Sequence, residues 1–125
     1  MKKKLLLLIE DNPLLTGMYK TALEKADFEV ILAHDGQTGL NLAKDKKPEI
    51  LVLDLLMPGM DGFAVLEKIK LDDTMKAMKI IILTSVTKKE DLDRAKALGA
   101  NDLLIKSELT IGSIIERIKA SLLVS

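Results

Sequence analysis

The chain has no cysteine and no tryptophan. Without thiols there is no disulfide framework, no thiolate-bound metal and no redox pair to read. Its aromatics are one tyrosine and two phenylalanines, Tyr19, Phe28 and Phe63, too few for a base-stacking nucleic-acid surface. Charge of one sign is also missing. The 19 Lys and Arg balance the 19 Asp and Glu, so no global field draws the chain to DNA or to a membrane. Long apolar runs are absent as well. The run behind Met1-Lys2-Lys3-Lys4 spans only Leu5 to Ile9 before Glu10-Asp11 ends it. A secretory signal needs about 7–15 apolar residues and a membrane helix about 20. The opening therefore reads as a solvated basic terminus leading into a buried strand. The protein is expected in the cytoplasm, with neither nucleic acid nor membrane as a direct partner.

What is present is a 48% hydrophobic chain of 125 residues, enough for one domain with a real core. Apolar runs of strand length alternate with helical patterns five times. The expected strands are 4–9, 28–32, 50–53, 79–83 and 102–105. Such continuous runs suit parallel strands covered on both faces. After the first strand, Asn12-Pro13 opens a helix as N-cap and first helical residue, with Leu15, Met18, Ala22, Leu23 and Ala26 as its apolar face. Asp35 caps the next helix, which carries Leu40 and Ala43 and is ended by Pro48. Phe63, Leu66 and Ile69 mark a third helix behind the turn-rich loop Met57 to Gly62. Thr87-Lys88-Lys89-Glu90 has the spacing of a capping box, and Gly99 suits a left-handed helix end. The last helix is expected from about Glu108, with Ile111, Ile114, Ile115, Ile118 and Leu122 at helical spacing. Strands alternating with helices imply an α/β fold with a parallel sheet between two helical layers.

Chemistry sits at the ends of the strands. Glu10-Asp11 follows the first run and Asp54 the third. Thr84 ends the fourth, and Lys106 follows the fifth. Open parallel sheets bind ligands at the carboxyl ends of their strands, so one rim collects three carboxylates, a hydroxyl and an ammonium. Crowded carboxylates call for a divalent cation, and a lysine opposite them suits a phosphoryl group. His34 is read as an exposed loop residue. Met57 and Met60 are read as anchors packing under the site, since a thioether is too soft for a hard divalent cation.

With these residues in order, the chain resembles the receiver domains of two-component response regulators over essentially its whole length. The resemblance rests on Glu10-Asp11, on Asp54-Leu55-Leu56-Met57-Pro58-Gly59-Met60-Asp61-Gly62, on Thr84-Ser85, and on Gly99-Ala100-Asn101-Asp102 with Lys106. It implies a flavodoxin-like (βα)5 sandwich with strand order 2-1-3-4-5. It also implies a phosphoacceptor at Asp54, with Thr84 and Lys106 as donors to the phosphoryl oxygens. Mg²⁺ would be held by Asp11, Asp54 and the Leu56 backbone carbonyl, with Glu10 acting through water. The chain would be no enzyme in the ordinary sense, though it would assist its own phosphorylation and dephosphorylation. The phosphate would come from a sensor histidine kinase, a phosphotransfer protein or a small phosphodonor. The output would be an unidentified protein that reads the face made by the fourth helix, strand five and the last helix. A monomer or weak homodimer is expected. No output domain is legible in residues 1–125, which points to a stand-alone regulator, with a receiver cut from a larger protein as the alternative.

Two positions depart from the family pattern. Ser107 stands where Pro usually follows the lysine, so a trans Lys106–Ser107 bond is expected, with the Ser107 hydroxyl free to cap the last helix. Leu103 stands where a Tyr or Phe usually serves as an output switch, and is expected to stay buried. They leave a phosphate-independent pseudo-receiver as the rival reading. A flavodoxin-type electron carrier is disfavoured, because Glu10-Asp11-Asn12-Pro13 would repel a flavin phosphate. A haloacid-dehalogenase-like phosphatase would need an Asp where Leu56 stands.

Overall fold

A computed structural model describes residues 2–123. Met1, Val124 and Ser125, part of the expected 1–125 domain, lie outside the described residues. The elements alternate in the expected sequence: β1 (Lys4–Ile9), α1 (Pro13–Lys25), β2 (Phe28–Ala33), α2 (Gly36–Lys46), β3 (Ile50–Leu53), α3 (Gly62–Lys70), β4 (Lys79–Thr84), α4 (Lys89–Ala97), β5 (Asp102–Ile105) and α5 (Ile111–Ser121). The five strands form one sheet of order β2-β1-β3-β4-β5, and every pairing is parallel.

Side chains on a strand alternate between faces, and two core layers follow. Leu7, Ile9, Leu51, Leu53 and Ile82 face α2, α3 and α4, meeting Leu40, Leu66 and Ala95. Leu6, Leu8, Val52, Ile81 and Leu83 face α1 and α5, meeting Tyr19, Leu23, Ile114 and Ile118. No described helix is long and apolar enough to cross a membrane.

Several local expectations are corrected. Met18 is exposed; α1 buries Leu23 as expected, together with Thr16 and Tyr19, while Leu15 and Ala26 pack partly against the same layer. Thr16 is tolerated there because its hydroxyl donates to the Pro13 carbonyl at 2.9 Å. Thr87 does not cap α4. The N-cap is Lys88, which carries no acceptor and makes no side-chain capping bond. The last helix starts later than expected. A 3-10 turn occupies Lys106–Glu108, Leu109 is extended, and Thr110 caps α5 by accepting from the Ser113 amide at 3.1 Å. Ser107 is therefore not the cap, although the Lys106–Ser107 bond is trans, with no cis peptide among the described residues. Leu103 is half-buried, packed against the α2–α4 layer rather than enclosed.

Candidate functional site

The carboxyl edge of the sheet is set by main-chain bonds. The Glu10 amide donates to the Ala33 carbonyl at 3.0 Å, and the Asp54 amide donates to the Ile9 carbonyl at 3.1 Å. Both acids are thus held one step past the apolar parts of β1 and β3, which lie side by side. Thr84 ends β4 opposite Ile105, so Lys106 leaves β5 on the same rim. Asn12 caps α1 by accepting from the Leu14 and Leu15 amides at 3.0 and 3.3 Å, which turns the chain away immediately after the acidic pair.

The side chains converge as expected. One carboxylate oxygen from each of Glu10, Asp11 and Asp54 can be chosen so that all lie within 4.8 Å of one another. Glu10 and Asp54 are only 2% and 6% exposed, and Thr84 is fully enclosed. Lys106 donates to Asp54 Oδ2 at 3.2 Å and also to Glu10 Oε1. The remaining oxygens are engaged from the backbone: Glu10 Oε2 accepts from the Asn12 amide at 3.1 Å, and Asp54 Oδ1 from the Leu56 amide at 3.2 Å. Thr84 accepts from the Val86 amide at 3.3 Å, leaving its own hydroxyl proton to be given elsewhere. His34 is exposed, as expected. Met57 is buried and Met60 packs partly against the core beneath the loop.

The fold gives Lys106 two charge partners, Glu10 and Asp54. That pairing joins residues 96 and 52 positions apart, so no local signal announces it. Electrostatics follow from burial. The Glu10 carboxyl is pushed above its ordinary range, chiefly by desolvation and further by the Asp54 charge, while the bonds from Lys106 and Asn12 oppose the rise. A carboxyl raised in the folded state favours folding fully only below its unfolded value, and that contribution is lost as pH rises through the folded value. Burial therefore works against the ionised Glu10 carboxylate, and the bond from Lys106 offsets part of that. Burial works against the Lys106 ammonium, yet the bond to Glu10 and the charges of Asp54 and Glu10 outweigh it, and its pKa is raised.

Tyr19 also belongs to this environment. Desolvation raises its phenol, and the charges of Lys106, Glu10 and Asp54 reach it. Its helical spacing with Thr16 and Leu23 places it on the buried stripe of α1. Three carboxylates against one ammonium leave a net negative, all-oxygen donor set, which fits a hard divalent cation such as Mg²⁺.

Comparisons with known proteins identify the family. The sequence profile of the response regulator receiver domain matches residues 6–119. The protein PilH of Pseudomonas aeruginosa is 35% identical over 103 residues, covering 81% of this chain and 84% of PilH. The DNA-binding dual master transcriptional regulator RpaA of Synechocystis is 30% identical over 117 residues, covering 94% of this chain but 48% of RpaA. Among solved structures, the Vibrio cholerae chemotaxis protein CheY4 superposes with a TM-score of 0.88 at 25% identity, covering 95% of this chain and 98% of that one.

Proposed function

The chain belongs to the response regulator receiver domains, and from that premise we propose that it accepts a phosphoryl group on Asp54 and so switches a protein-interaction surface. One observation carries the reading. Asp54 lies 3.2 Å from the Lys106 ammonium and shares a 4.8 Å cluster with Glu10 and Asp11. An Asp54 oxygen attacks the phosphorus of a phosphohistidine or small acyl phosphate, the bond to the donor's leaving atom breaks, and an aspartyl phosphate remains. Such a transfer asks the protein mainly for positioning and charge neutralisation. Lys106 exchanges its Asp54 contact for a phosphoryl oxygen, and the Thr84 hydroxyl donates a hydrogen bond to another. Asp11, Asp54 and the Leu56 carbonyl would hold Mg²⁺, with Glu10 reached through water; the ion supplies charge neutralisation at the phosphoryl oxygens.

The donor in this reading is a histidine kinase or phosphotransfer protein, and the output is a protein that reads α4, β5 and α5. The half-buried Leu103 has no hydroxyl and little surface to expose, so its rotamer offers a partner little differential affinity. The loop after Thr84 and the start of α4 carry the signal instead.

Acetyl phosphate with Mg²⁺ should add one phosphoryl group by intact mass. Chelation or Asp54→Asn should abolish the addition. Equal labelling of Asp54→Asn would move the nucleophile elsewhere, and an unlabelled wild type would favour the phosphate-independent module.

A further inference from the structure

Two glycines grip the loop that follows β3, and neither is there for its backbone freedom. Among the described glycines only Gly59 and Gly99 have positive φ. At Gly62, the first residue of α3, an added Cβ would lie 2.4 Å from the Asp54 carbonyl oxygen and 2.6 Å from the Leu55 Cα. The Gly62 amide donates to the Leu55 carbonyl at 3.1 Å, which holds that approach. At Gly36, the first residue of α2, a Cβ would lie 2.5 Å from the Met60 carbonyl oxygen. These are main-chain atoms, which cannot swing aside as a side chain does. At Gly39, by contrast, a Cβ would meet a side chain, that of the enclosed Ile9, and not the loop backbone.

We propose that Gly62 and Gly36 are positioning residues for the phosphoacceptor. Their missing side chains let α3 and α2 close on the two ends of the loop and set where the Asp54 main chain stops. The proposal rests on the reading of Asp54 as phosphoacceptor and names what holds it in place. The Asp54 carboxylate follows its main chain, and its two tethers, to Lys106 and to the Leu56 amide, are both 3.2 Å long. That is the outer end of good hydrogen-bond geometry, so a retreat of the loop breaks them. Mg²⁺ demands near-octahedral ligands and tolerates little displacement, and misplacement by about 1 Å costs on the order of 100-fold in rate.

The test compares wild type, Gly62→Ala and Gly36→Ala with two controls. Gly112→Ala lies in α5, where the nearest atom to a new Cβ is Thr110 Oγ1 at 3.9 Å. Ile69→Val thins the core at the far end of α3, where Ile69 is buried. Each protein is measured for urea stability, for Mg²⁺ affinity by amide chemical shift, and for labelling by acetyl phosphate, under conditions where it is folded. Gly62→Ala should bind Mg²⁺ several-fold more weakly, label at least about tenfold more slowly, and shift the Leu56 amide before metal is added. Gly36→Ala should move the same readouts in the same direction by less. Both controls should label at the wild-type rate, Ile69→Val despite its lost stability. Wild-type Mg²⁺ affinity and labelling in folded Gly62→Ala would overturn the proposal, as would rate losses that track stability across all four variants. If Gly62→Ala does not fold, Gly36→Ala decides, and wild-type behaviour there overturns it. A wild type that takes no phosphate removes the phosphoacceptor reading and this proposal with it, a result distinct from all of these.

Discussion

Helices α3 and α4 are both nine residues long and lie on the same side of the sheet, yet they are held in different ways. Buried on α3 are Gly62, Phe63, Val65, Leu66 and Ile69, and Asp61 caps it by accepting from the Ala64 amide at 3.0 Å. Only Ala95 is buried on α4, whose cap position holds a lysine with no acceptor. Beyond Ala95, polar contacts tie α4 to α3. Arg94 reaches Glu67 at 2.8 Å and lies 4.3 Å over the Phe63 ring, and Lys70 donates to the Ala97 carbonyl at 3.1 Å. Exposed contacts of this kind contribute a few tenths to about 1 kcal/mol each and weaken with salt. Stability is therefore unequal across one face. The helix that touches the Asp54 main chain is anchored by apolar burial, and the helix in the proposed output face is lightly tethered.

The hardest way to break that comparison is to empty each helix of a leucine. Leu66→Ala removes a fully enclosed side chain and should cost about 2–5 kcal/mol in urea unfolding. Leu92→Ala, from a partly buried position, should cost under about 1 kcal/mol. Equal losses would mean that α4 is as much part of the core as α3.

A smaller effect is expected from the tether. Arg94→Ala removes the ion pair and the cation–π contact together and should cost about 1 kcal/mol. Amide hydrogen exchange should then speed up in α4 while α3 stays protected. Uniform acceleration in both helices would show that the tether supports the whole domain.

The caps give the finest resolution. Asp61→Ala should lower stability by about 1 kcal/mol, whereas Lys88→Ser, which supplies the acceptor that α4 lacks, should raise it by about 0.5 kcal/mol. A loss on Lys88→Ser would mean that the uncapped start of α4 is held by something other than its own first turn.

This inequality explains which parts of the molecule were readable in advance. α3 announced itself because Phe63, Leu66 and Ile69 fall at helical spacing behind a turn. The charged KEDLDRAKA of α4 buries almost nothing, so only a capping pattern marks its start, and that pattern points to Thr87, one residue before the Lys88 N-cap. The last helix reads from Glu108 in the sequence for a similar reason. Its isoleucines mark the buried face, but the extended Leu109 that delays the helix to Ile111 leaves no trace in that periodicity.

From the sequence alone came the apolar runs, their order along the chain and the polar residues that end them. Buried parallel strands must be apolar on both faces, so β1, β3, β4 and β5 stood out as runs, and the polar residue after each run marked the rim where Glu10, Asp11, Asp54, Thr84 and Lys106 gather. Only the tertiary structure decided what crosses between elements. It turned Tyr19 rather than Met18 inward, shared Lys106 between Glu10 and Asp54, and hung α4 from α3 through Arg94. It also brought Gly62 so close to the Asp54 carbonyl that no side chain fits. Such contacts join residues from eight to 96 positions apart. Periodicity and capping are properties of a single turn or strand, whereas these distances are set by how the strands pair and how the helices settle on the sheet.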